Sequence, residues 1–271
     1  MNTYYMLRSF DHAGYYETRS VLMILAIVVA IVFLRKRGDN RYLVMLISGV
    51  FWQAAMEYYL QINGLRGAGY SLSVFGMKLT GIAANIFQGF AEGGILSLMA
   101  FWFVDLRSGG KRRESRNAYL ALCALIIVLA CFVGVVAAGR PISSPRPMFS
   151  TVGVVRLSVT AVPALLLIAW KRAWRELGLF YVGLLIYVLI TFEPMQILGA
   201  RYIGERGPDG KFFAAPSAPQ FAVMMASNLF EVVGGKIHYF AVPLALGLLP
   251  FGRKNESESA LAKARQLEAT S

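Results

Sequence analysis

The sequence predicts an all-α fold: a polytopic membrane protein, one bundle of seven transmembrane helices over residues 1–251, followed by a polar tail over 252–271. Three observations carry that prediction. Hydrophobic residues make up 57% of the 271, and mean hydropathy is +0.55. Charged residues make up 15%, against roughly 25% in soluble domains, so the chain lacks the charge to cover a water-soluble core of its size. The apolar residues also gather into seven runs of about the 20 residues that a bilayer-spanning helix needs.

The runs are taken in order, and long unbroken runs exclude a barrel, whose strands alternate every second residue. Span one, residues 18–34, holds "VLMILAIVVAIVFL" and stops at "RKRGDNR". No cleavable leader pattern precedes it, so it reads as a retained span. Spans two to seven cover residues 42–61, 79–105, 118–139, 150–170, 177–200 and 221–250. The net charge of +12 does not point to nucleic acid, because the basic residues lie in short clusters between apolar runs. Residues 35–41, 106–117, 171–176 and the tail hold sixteen Lys and Arg, whereas the alternate connections and the N-terminal segment hold nine. The positive-inside rule then sets the N-terminus outside and the C-terminus in the cytoplasm of a multi-pass cell-membrane protein.

Ionisable groups inside a span cost about 2.5–3.5 kcal/mol each on insertion scales, so they mark interior surfaces and find partners. In span two, Gly49, Gln53, Glu57 and Gln61 recur every fourth residue and form one stripe. In span three, Asn85, Gln88 and Glu92 share a face beside Gly81 and Gly89. Arg156 lies early in span five, and span six carries Glu193 directly before Pro194. The stretch "SNLFEVVGGKIHYFAV" puts Asn228, Glu231 and His238 on one face of a continuous seventh helix, with Lys236 turned about 140° from Glu231 and aimed at Glu92 or Glu57. Spans one and four carry almost no polar side chains and are expected to face lipid.

Four in-span glutamates face two in-span cations, so one carboxyl is expected to be neutral, its pKa raised by burial. The polar set reads as a cavity in the outer half of the bundle that takes a lipophilic small molecule. Cofactor motifs are absent: no phosphate-binding glycine loop, no HExxH and no nucleophile elbow. Two histidines make no metal or haem site. Cys123 and Cys131 share one apolar run and read as small buried hydrophobes.

Three uses of such an interior stay open beside a purely structural set of ion pairs. "RKRGDNRYLVMLISGVFWQAAMEYY", Arg35 to Tyr59, resembles the basic loop and second helix of the small seven-span terpene cyclases of meroterpenoid and indole-diterpene pathways. That resemblance implies an acid-initiated enzyme on an isoprenoid-like substrate, with Glu57 and Glu231 in the protonating roles. Here Trp52 and Glu57 stand five apart, whereas the family's glutamate follows its tryptophan directly. Carboxyl groups that alternate between charge states also suit a proton-coupled transporter. Seven spans with a mid-membrane Lys236 in the last resemble the microbial rhodopsins, which implies a retinal-binding photoreceptor.

Overall fold

The computed structural model describes residues 4–9, 14–64, 71–108, 113–142, 145–148, 151–233 and 235–249; of these, the side chains of 146, 151–154, 156–158, 160 and 230–233 lie outside the description. The polar tail and the first three residues also lie outside it. The described chain is mostly helical. Among the described residues five helices are long and apolar enough to cross a membrane: α1 (Tyr15–Arg37), α2 (Arg41–Ile62), a continuous helix Gly81–Ser108, α5 (Arg113–Ala137) and α7 (Trp174–Ile197). The helix Gly81–Ser108 has three parts, α3 (Gly81–Gln88), a π-helical segment (Gly89–Gly94) and α4 (Ile95–Ser108). Between and beyond them lie α6 (Thr151–Lys171), α8 (Ser217–Val233) and α9 (Ile237–Ala245).

The helix ends follow local chemistry. Gly38 closes α1 in the left-handed conformation at φ 64°, its N–H donating to the Leu34 carbonyl at 3.0 Å. Asp39 then opens α2 by accepting from the Arg41 backbone N–H at 3.0 Å. Arg41 also reaches Asp105 at 2.9 Å, and the Tyr42 hydroxyl donates to the same carboxylate at 3.0 Å. These bonds fasten the α1–α2 turn to the end of α4. Phe33 and Tyr42 stack beneath them, with Phe101 and Trp102 edge-on to Tyr42.

Packing is closest where side chains are smallest. A Cβ on Gly49 would fall on the carbonyl oxygen of Gly93, and one on Gly93 on the carbonyl oxygen of Gly49. At Gly89 a Cβ would stand 2.5 Å from the Val50 oxygen. The glycines therefore let the backbone of α2 lie against the π segment. Gly183 does the same for α7 against Ala100 of α4.

Three features depart from the sequence reading. The first is β structure, which the apolar periodicity does not show. Strands β1 (Tyr4–Arg8), β4 (Arg146–Pro147), β5 (Arg201–Arg206) and β6 (Phe212–Ala214) form an antiparallel sheet in the order β4-β1-β5-β6, and β2 (Ser71–Val74) pairs with β3 (Met77–Thr80). The Phe75 N–H in the β2–β3 turn donates to Glu17 on the first turn of α1, so both sheets lie at that end of the bundle. The second is the last helix, which is not continuous: α8 ends at Val233 and α9 begins at Ile237, with Lys236 non-helical between them. A wheel projected through Gly235 and Lys236 therefore misplaces every residue beyond the break. The third is α1, which starts at Tyr15, three residues before the expected bound, and buries Arg19, which the sequence reading counted with the N-terminal segment. Pro194, by contrast, does not end α7, which continues to Ile197; its missing N–H costs the helical partner of the Ile190 carbonyl.

Candidate functional site

Four segments converge on one amide. Gln53, 3% exposed, stands on the inner face of α2. Its Nε2 donates to Glu57 Oε1 at 3.2 Å, one turn along the helix, and to Glu92 Oε2 at 3.4 Å on the π segment. Its Oε1 accepts from Lys236 Nζ at 2.6 Å and from the Tyr239 hydroxyl at 2.7 Å. Both donors and both lone pairs of the amide are thus used. Lys236 Nζ also donates to the Tyr239 oxygen at 3.1 Å, and Ser48 Oγ donates to the Tyr239 carbonyl at 2.8 Å.

The π segment explains why Glu92 is available. A helix that accepts an extra residue per turn displaces the side chains after it, and such bulges recur at functional sites. Here the bulge carries "GFAEGG", whose glycines meet α2 while Glu92 turns toward Gln53. Glu57 is 1% exposed. The stripe read in span two does face this way: Gly49 meets Gly93, Gln53 meets Glu92, and Gln61 Nε2 donates to Asn85 Oδ1 at 2.6 Å.

Helix α1 completes the cluster, correcting the expectation that span one faces only lipid. The Tyr15 hydroxyl donates to Glu92 Oε1 at 3.0 Å. The Arg19 guanidinium lies over the Tyr15 ring at 4.7 Å and donates to the Tyr187 hydroxyl on α7 at 2.7 Å. Arg19 is 4% exposed, a buried cation that the sequence reading assigned to the outer segment. With it, the excess of in-span carboxylates over cations narrows, and the count that argued for a neutral carboxyl loses force. Tyr15 starting α1 directly after a left-handed Gly14, with Arg19 one turn on, was the signal that could have located it.

Other expected residues fall elsewhere. Glu193 on α7 accepts from Asn228 Nδ2 on α8 at 3.3 Å, so these two form a separate pair. Lys236 meets span two at Gln53, which mediates between it and the two carboxylates. The His238 ring is held edge-on to Trp52 at 4.8 Å and to Tyr239 at 5.0 Å. Gln88 is buried with its Oε1 accepting no hydrogen bond among the described residues. The side chains of Arg156 and Glu231 lie outside the described residues, and the roles assigned to them with it.

Beside the cluster is a small cleft between α1, α5 and α7. Tyr15, Thr18, Arg19 and Thr191 supply its polar wall, and Leu22, Ile126, Leu129, Ala130, Val133 and Met195 its apolar wall. Tyr15 is common to both: its ring bounds the cleft, while its hydroxyl bonds Glu92. Among the described residues no group of His, Cys, Asp and Glu side chains is placed to hold a metal ion. Searches of protein-family models, of curated proteins and of solved structures match nothing to this chain.

Proposed function

We propose that the chain is a seven-span protein of the cell membrane whose buried cluster delivers a proton to a lipophilic, isoprenoid-like substrate. The pairing of strands supports the span count. β1 precedes α1, yet it pairs with β4 after α5 and with β5 after α7. Four long helices separate β1 from β4 and two separate β4 from β5, so each return to the same end follows an even number of passes. The broken α8–α9 helix makes the seventh. The basic connections then share the opposite end, which the positive-inside rule assigns to the cytoplasm.

One observation carries the chemical reading: Glu57 and Glu92 both bond one amide nitrogen, and Tyr15 links Glu92 to an apolar cleft. In this reading Glu92 is the general acid that holds the proton to be delivered, with Glu57 beside it on the same amide. That proton can pass from Glu92 through the Tyr15 hydroxyl to an alkene in the cleft. Glu57 and Glu92 thus take the acid roles that the family resemblance gives to Glu57 and Glu231. The test is incubation of purified protein with polyprenyl substrates in deuterium oxide. Deuterium on carbon in a cyclised product supports the reading; recovery of unlabelled substrate alone would sink it.

The break at Gly235 and Lys236 favours a second reading, proton-coupled transport. Discontinuous helices form the substrate and coupling-ion sites of many secondary transporters. Substrate-driven acidification of sealed vesicles, without product formation, would select it.

A further inference from the structure

The turn joining α6 to α7 reads "WKRAWR", Trp170 to Arg175, and it holds three cations with no carboxylate partner among the described residues: Lys171, Arg172 and Arg175. In the α1–α2 turn, by contrast, two carboxylates, Asp39 and Asp105, pair with Arg41 beside the other cations. Arg172 occupies the left-handed position that ends α6, at φ 56°, where glycine is usual. That conformation carries a backbone cost for any residue with a side chain. Trp170 and Trp174 flank the cations, 64% and 51% exposed, and Lys171 Nζ sits over the Trp170 ring at 4.8 Å.

An apolar track leads to this turn. Val155, Val159, Val162, Leu166 and Trp170 are all more than half exposed. They follow spacings of three and four, so they share an arc of about 80° on α6. The arc ends at Lys171. A continuous acyl-compatible surface running into net positive charge, three cations against Glu176, with indoles at the junction, has the polarity of one lipid: apolar along the helix, anionic at its head.

We infer that the α6–α7 turn is a binding site for an anionic phospholipid, its phosphate held by Lys171, Arg172 and Arg175 and one acyl chain laid along the α6 stripe. The site is separate from the buried cluster and does not depend on the chemistry proposed there. The test is native mass spectrometry of the full chain in detergent micelles supplied with phosphatidylglycerol or phosphatidylcholine. Wild type should retain phosphatidylglycerol selectively. The variant Lys171→Gln/Arg172→Gln/Arg175→Gln should lose roughly a hundred-fold in affinity, given the contribution of each cation at an anionic surface. None of these three side chains is buried, so the variant should fold, and its melting curve checks that. A control variant, Lys36→Gln/Arg37→Gln, should keep the lipid. Equal retention of the two lipids, unchanged binding by the triple variant, or equal loss in the control would each overturn the proposal.

Discussion

Gln53 and Lys236, 183 residues apart in the chain, meet at 2.6 Å, and this contact fixes the broken end of the last helix to α2. Gln53→Leu removes the amide while keeping much of its volume. Glu57, Glu92, Lys236 and Tyr239 would each lose a hydrogen bond. At about 1–3 kcal/mol for each buried group left short, the variant should melt far below wild type in detergent. An unchanged melting temperature would mean that the amide is not the hub.

Tyr15→Phe separates structure from chemistry. The ring stays, and with it the packing under Arg19; only the hydroxyl that bonds Glu92 goes. Stability should fall by about 1 kcal/mol, the usual value of one hydrogen bond. Turnover of a polyprenyl substrate should fall by about 10²–10⁴ if the hydroxyl relays the proton. Turnover at the wild-type rate would remove Tyr15 from the relay.

The two glycine environments make opposite predictions. Gly49→Ala places a methyl on the Gly93 carbonyl and must push α2 off the π segment, a cost of about 1–3 kcal/mol. Gly178→Ala on α7 meets nothing within 4 Å and should stabilise its helix by roughly 0.5–1 kcal/mol. Paired thermal melts in one detergent check both signs.

Acid should loosen the α1–α2 turn first. Burial pushes the Asp39 carboxyl up, but the side-chain and backbone hydrogen bonds from Arg41, together with its charge, outweigh that and hold Asp39 below the ordinary aspartate range. A depressed carboxyl contributes stability that is complete above its unfolded value, about 3.9, and is lost as pH falls through the folded one. Melting temperatures at pH 5 and pH 3 should therefore diverge less in Arg41→Gln than in wild type. Equal divergence would show that the pair contributes nothing.

The helices were legible because twenty apolar residues in a row have few other uses, and for the five long enough to cross a membrane the expected bounds lie within five residues of those found. The inward face of span two was legible too, since a four-residue repeat survives wherever the helix stays regular. The reading failed where regularity ends. The π segment shifts Glu92 relative to Asn85, and the break at Gly235 and Lys236 resets the phase for His238 and Tyr239; neither leaves a periodic trace. Arg19 was missed because a cation one residue inside a span reads as a topology signal, and only the contacts with Tyr15 and Tyr187 show that it turns inward. The β sheet was invisible for another reason: its strands are two to six residues long, and β1 pairs with β4 and β5 across more than a hundred positions.

That pairing carries a consequence for how the chain is made. β1 emerges in synthesis before α1, but its partners on both edges, β4 and β5, follow only after α5 and α7. Until then Tyr4 to Arg8 has open backbone groups on either side. The sheet can form only when α1 to α7 have been laid down, so it works as a late fastening that joins the segment before α1 to the loops after α5 and α7. Deleting β1 should leave each helix able to insert while removing the clasp that holds the finished assembly at that end.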